Sequence, residues 1–260
     1  RGLTQIGASA FAGCTRLEEI EIPRGVTAIA TYTFSGCSRL SNVSLPDGIT
    51  VLKSYSFSGC TRLESIELPS ALTRIGNNAF AGCENLRAIA IPRAVASIET
   101  EAFARCGSLV SITVSAENPV YHSAGNCLIE TETKTLAVGC KNSVIPDDGS
   151  VTSVGRDAFR YCESLTRIAI PDSVTSIGDW AFADCGSLAS VTIGDGVTSI
   201  GQRAFDFCKN LASVTIGSGV TSIGVCAFDS CESLTSITLP AGVTSIGERA
   251  FVNCSGLASI

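Results

Sequence analysis

Cysteine is the residue whose number and spacing first suggest chemistry. There are thirteen. Ten of them follow a phenylalanine by three positions, in phrases such as AFAGC, TFSGC and AFDFC: Cys14, Cys37, Cys60, Cys83, Cys106, Cys162, Cys185, Cys208, Cys231 and Cys254. A thiol repeated in this way could build disulfides, hold a metal, act as a nucleophile or fill a core. Zinc requires several ligands clustered together, whereas these cysteines come one per repeat. Bridging neighbouring repeats would give alternate repeats a different geometry, yet alternate repeats read alike. The expectation is a structural column of reduced, inward-facing thiols, which pack as small hydrophobes and are inert when buried. Cys127 and Cys140 bracket an insertion and could close a cross-strand disulfide if the hairpin offers the required geometry. Cys226 occupies a slot that elsewhere holds Tyr32, Tyr55, Asn78, Glu101, Asp157, Trp180, Arg203 and Arg249. That mixture reads as an exposed position, so Cys226 is expected to be the most readily alkylated thiol.

Other candidates for chemistry are sparse. The single histidine, His122, has no companion and reads as loop or rim packing. GDGVTSIG and GSGVTSIG space their glycines as G-x-G-x₄-G rather than G-x-G-x-x-G, and they recur as turns. No nucleophile elbow, phosphate loop, zinc-protease helix or EF-hand loop is present. The acidic pairs Glu18 with Glu21 and Glu64 with Glu67 fall on solvent-facing positions, where nothing apolar would raise a carboxyl pKa. The sequence therefore points to no catalytic residue, cofactor or metal, and to a non-enzyme.

The elements that must position these residues follow from the period. Phenylalanine recurs at positions 11, 34, 57, 80 and 103, then at 159, 182, 205, 228 and 251, a step of 23 within each block. A fixed period of this size signals stacked coils. L-x-x-I-x-I has the alternation of a short strand, Pro or Gly then breaks it, and VTSIG turns the chain again. G-x-x-A-F-x-x-C suits one turn of helix or 3₁₀ helix. One coil cannot bury its apolar side chains alone, so neighbours must cover it. The expected class is an α/β solenoid of ten complete or partial coils, a curved rod with stacked parallel strands. Residues 1–114 and 147–260 would carry the repeats of one continuous solenoid, and 115–146 an irregular insertion. Within the insertion, Cys127 to Thr131 and Thr135 to Gly139 would be the strands of a β-hairpin.

The unit CxxLxxIxIPxxVTSIGxxAF resembles the BspA-like leucine-rich repeat family of bacterial and protist surface proteins. The inserted ENPVYHSAGNCLIETETKTLAVGCKNSVIP is similar to that family's N-P-x-Y…G-x-L…K-T-L…I-P segment. The resemblance implies a right-handed superhelix with a parallel concave sheet and short helical or 3₁₀ turns opposite it. It also implies a secreted or cell-surface interaction or adhesion module whose partner is a protein or glycan of a host or neighbouring cell. The alternative is a spacer with no ligand of its own. Tyr32, Tyr55 and Trp180, in register on one rim, and Glu18, Glu21, Glu64 and Glu67, on the strand face, are the candidate binding residues. The later strand positions form a flat Ser/Thr/Ala surface. The chain carries a net charge of −6 with pI near 4.9, which argues against a nucleic-acid partner. No apolar run approaches the roughly 20 residues of a membrane span. Both ends read as repeat sequence, which is expected of a piece of a longer protein.

Overall fold

The computed structural model describes residues 2–260. Internal contacts divide the chain into two units, one up to Ser123 and one from Ala124; the division falls inside the insertion. In each unit the chain winds in coils with three sides: an I-x-I strand, a two-residue V-T-S-I strand and a chain of turns.

In the first unit Ala28–Ile29, Val51–Leu52, Arg74–Ile75 and Ser97–Ile98 pair in parallel, with register steps Ala28↔Val51↔Arg74↔Ser97. On the I-x-I side Glu19–Glu21 pairs with Asn42–Ser44, and Ala88–Ile91 with Ser111–Val114. Burial alternates along these strands, as in the exposed–buried–exposed–buried Ala88–Ile91. The leucine and isoleucine positions of the L-x-x-I-x-I phrase therefore point into the coil, and the positions alternating with them in the strand, Ala88 and Ala90 included, point out.

The second unit begins with an antiparallel hairpin, Cys127–Glu130 against Thr135–Val138, each strand one residue shorter than expected. Thr135–Val138 then pairs in parallel with Ser153–Val154. The hairpin thus feeds the ladder Ser176–Ile177, Ser199–Ile200, Ser222–Ile223 and Ser245–Ile246. On the I-x-I side Arg167–Ile170, Ser190–Ile193 and Ser213–Thr215 pair in parallel.

The expected helical turns are not formed: no described residue is helical, and the fold is a β-solenoid. The reason lies in how the amides are divided. In the coil of Phe80, the N–H groups of Ala79, Ala81 and Cys83 bond to the carbonyls three residues back, at 3.1, 3.1 and 3.0 Å. Those of Asn78, Phe80 and Gly82 bond instead to Thr100, Ala102 and Ala104 of the next coil, at 3.2, 2.8 and 2.8 Å. A helix would need every amide for its own axis, and here every second one is spent on the neighbour. Positive φ at Asn78 (54°) and Gly82 (73°) also interrupts any right-handed run. Such close backbone stacking requires the small residues of A-F-x-x-C; Ala79 is fully buried.

The phenylalanine rings stack within each unit. Centroid spacings are 5.3–5.6 Å from Phe11 to Phe103 and 4.8–5.3 Å from Phe159 to Phe251. These values are close to the inter-strand repeat. Asn118 carries the first unit into the insertion. Its Nδ2 donates to the carbonyls of Pro92 and Val95, and its Oδ1 accepts from the amides of Val120 and Tyr121. A buried amide with two donors and two acceptor sites is thereby fully satisfied. Tyr121 is buried, and its hydroxyl accepts from the Ile98 amide at 3.2 Å.

Candidate functional site

The thiols sit where they can donate. The sulfurs of Cys37, Cys60, Cys83 and Cys106 lie 3.0–3.3 Å from the carbonyl oxygens of Phe11, Phe34, Phe57 and Phe80, one coil back. Cys185, Cys208, Cys231 and Cys254 repeat the contact on Phe159, Phe182, Phe205 and Phe228 at 3.0–3.3 Å. The Phe57 carbonyl also accepts the amide of Cys60, in its own coil, at 3.2 Å. One carbonyl therefore takes two donors, and the second must be an S–H. Burial pushes the Cys60 thiol up to about 12 and holds the Cys83 and Cys185 thiols well above the ordinary range. The protonated form that donates is thus the form that persists. All thirteen cysteines are unbridged. Cys14, in the first coil, is exposed, and Cys162 and Cys254 are half-buried. Cys162 follows the hairpin, which offers no phenylalanine carbonyl.

The expected exposure of Cys226 is overturned: it is 5 % exposed. A short side chain lies between the longer ones of Arg203 and Arg249, which occupy the same slot on the neighbouring coils, and does not reach past them. Cys127 and Cys140 are both buried. The Cys127 sulfur faces the carbonyls of Gly125 and Val144, the Cys140 sulfur that of Asn126, and Ser143 Oγ lies 3.6 Å from the Cys140 sulfur.

On the strand face of the first unit Glu18, Glu21, Glu64 and Glu67 are exposed. Arg39 lies 3.6 Å from Glu18 and Arg87 3.8 Å from Glu64, with all four side chains at least half exposed. Such pairs contribute at most about 1 kcal/mol. A hollow of about 460 Å³ lies over Glu19, Glu21, Asn42 and Ser44. A more apolar one of about 660 Å³ is lined by Ile66, Leu68, Ile91, Pro92 and Val114. Among the described residues no group of three or more His, Cys, Asp or Glu side chains could hold a metal ion.

The turn side carries the aromatic candidates. Tyr32, Tyr55 and Trp180 occupy one slot, at φ of 58°, 59° and 59°. A left-handed conformation costs a non-glycine residue roughly 1–2 kcal/mol, and here it aims the side chain off the coil. Tyr32 and Tyr55 stack at 4.7 Å with Tyr32 42 % exposed. Trp180, in the second unit, has the guanidinium of Arg160 at 4.4 Å and that of Arg203 at 4.7 Å from its ring centroid. Both guanidiniums are anchored from behind, Arg160 by Asp157 at 3.3 Å and Arg203 by Asp206 at 2.8 Å.

Sequence reasoning missed a second slot, two residues after phenylalanine. It holds Gly13, Gly36, Gly59 and Gly82, at φ of 72–73°, and then Arg105, at 58°, in the first unit. In the second unit the same left-handed position holds Tyr161 (60°), Asp184 (59°), Phe207 (56°), Ser230 (58°) and Asn253 (58°). The signal was present as the change from AFAGC to AFRYC and AFDFC. Phe207 is 43 % exposed. Arg160 also lies 4.8 Å over the Tyr161 ring, so Tyr161, Arg160, Trp180 and Arg203 form one stacked file.

Residues 4–124 and 137–258 match the family described as BspA type leucine rich repeat region, in six copies. A leucine-rich cell surface protein from Faecalibacterium prausnitzii is similar at 26% identity, covering 99% of this chain and 76% of that one, with a TM-score of 0.67. The pneumococcal vaccine antigen PcpA is similar in fold at 19% identity, covering 88% and 58%, with a TM-score of 0.63. So is a leucine-rich repeat protein from Eubacterium ventriosum, at 22% identity, 92% and 83% coverage and a TM-score of 0.54. No curated protein sequence matches the chain.

Proposed function

The chain belongs to the BspA-type leucine-rich repeat family, and on that premise we propose that it is a non-catalytic interaction module at a cell surface, adhesive toward a protein or glycan of another cell. The similar protein from Faecalibacterium prausnitzii is a cell surface protein, which supports the location. The observation that carries the reading is the register of Tyr32 and Tyr55 on the turn side, stacked at 4.7 Å with Tyr32 42 % exposed, and of Trp180 in the same slot of the second unit. Tyr, Trp and Arg are the residue types that dominate binding energy at protein interfaces. Glu18, Glu21, Glu64 and Glu67 supply a charged strand face that would steer encounter rather than anchor it.

The test is saturable binding of the full chain to host cells, matrix proteins and an array of glycans, repeated with Tyr32→Ala and Tyr55→Ala. Saturable binding that weakens in these variants supports the module. No saturable binding to any of the three would leave a spacer as the better account.

A further inference from the structure

The net charge of the chain belongs entirely to its second unit. Residues 1–123 hold ten Lys/Arg and ten Asp/Glu, whereas residues 124–260 hold eight against fourteen. On the turn side of that unit, three aspartates fall on consecutive coils: Asp184, Asp206 and Asp229. Asp206 is 1 % exposed, and only its Oδ2 is engaged, by Arg203. Its Oδ1 is buried without a hydrogen-bond partner among the described residues. Burial pushes the Asp206 carboxyl up, Arg203 opposes that shift, and Asp229 and Asp184 add to it. Asp229 Oδ1 accepts from Ser230 Oγ at 2.9 Å and from Asn253 Nδ2 at 3.1 Å. Phe207 stands amid the three aspartates, with Asp184 one coil before it and Ser230 one coil after it in the same left-handed slot.

The adjoining file shows which chemistry this surface accepts. It alternates guanidinium and ring, with Arg160 4.8 Å over Tyr161 and Arg160 and Arg203 at 4.4 and 4.7 Å from the centroid of Trp180. Phe207 is the exposed ring of the strip, and it is set among carboxylates. From these observations the geometry points to the Asp184–Phe207–Asp229 strip as a docking surface for an arginine-bearing segment of a partner polypeptide, whose guanidinium stacks on Phe207 and is neutralised by the flanking aspartates. Guanidinium over a ring is favourable in its own right, and a basic segment complements the acidic unit. The strain at Phe207, where four of the five coils of the first unit use glycine, is then retained for the ring it presents.

This inference rests on the reading of the chain as an interaction module, and the experiment separates the two. The affinity of the full chain for a fluorescent octapeptide of alternating Arg and Gly is measured, beside matched peptides with Lys or citrulline in place of Arg. The Arg peptide should bind saturably, the Lys peptide several-fold more weakly, and the citrulline peptide not measurably. Phe207→Gly changes no charge and adopts the backbone found at Gly82, so the folded state should be retained. It should weaken the Arg peptide about tenfold and leave the Lys peptide within twofold. Asp184→Asn should weaken both. Absence of saturable Arg-peptide binding, or an affinity within twofold of the parent in Phe207→Gly, overturns the strip. Cell or matrix binding that survives Phe207→Gly would overturn it as well, while leaving the interaction module standing.

Discussion

Replacing Cys83 by Ala tests the thiol column at a site where the cost can be worked out. Cys83 is fully buried, and its sulfur lies 3.2 Å from the Phe57 carbonyl oxygen. Deleting one buried heavy atom forfeits about 1 kcal/mol of transfer free energy. The void, on the order of 25 Å³, adds about 0.6 kcal/mol at the usual cavity coefficient. A weak S–H donor adds about 0.5 kcal/mol. The Phe57 carbonyl keeps the Cys60 amide as its other donor, so no acceptor is orphaned. The sum is about 2 kcal/mol, or a fall in Tm of about 4–8 °C for a chain of this length. Cys83→Ser keeps a donor, but the shorter C–O bond draws it away from the carbonyl and leaves a poorly bonded hydroxyl buried. It should cost as much as Ala or more. Calorimetry and urea titration of both variants, beside Cys14→Ala at the exposed position, give the order: parent equal to Cys14→Ala, then Cys83→Ala, then Cys83→Ser. A serine variant as stable as the parent would show that the pocket is wet or polar and would refute the reasoning.

Three further outcomes follow from the same geometry. Folded pKa values raised above the ordinary 9.0 of a thiol, to about 12 for Cys60, make the folded state the tighter proton binder. Stability is then complete below pH 9 and lost between about pH 9 and 12; a thiol held at about 12, as Cys60 is, withdraws about 1.4 kcal/mol by pH 10. Circular dichroism from pH 7 to 11 should show cooperative alkaline unfolding, and an unchanged denaturant midpoint at pH 10.5 would contradict the burial. Alkylation followed by peptide mapping should modify Cys14 first, Cys254 and Cys162 more slowly, and Cys226 last together with the column; early modification of Cys226 would put it back at the surface. A Cβ at Gly139 would fall inside the Phe159 ring, so Gly139→Ala should cost about 1–3 kcal/mol or more. A neutral result in thermal melts would mean that hairpin and ring do not meet.

Much of the architecture was legible because each coil repeats one pattern. The alternation in Ile89–Ile91, the breaking residue at Pro92 and the 23-residue step of phenylalanine gave strands, turns and stacking directly. The turn side was misread because A-F-x-x-C has small residues at helical spacing, and its two left-handed positions are visible only as backbone. Asn78 and Gly82 hint at them; Trp180 and Phe207 do not. The same blindness hid the second candidate column, since Tyr161 and Phe207 look like chance aromatics until their shared φ is seen. Cys226 was misplaced because exposure was inferred from its slot, whereas burial there depends on the lengths of Arg203 and Arg249. The donor role of the thiols could not be read either: the acceptor is a main-chain carbonyl 26 residues away, and no side-chain pattern encodes it.

The account depends most on S–H groups that bridge successive coils to phenylalanine carbonyls. Vibrational spectroscopy of the native protein reads these groups directly through the S–H stretch. The account predicts a band shifted to lower frequency than that of a free thiol, most of which persists on transfer to D₂O and is lost on unfolding. An unshifted band that exchanges at once, or no band because the sulfurs are oxidised in pairs, would contradict it.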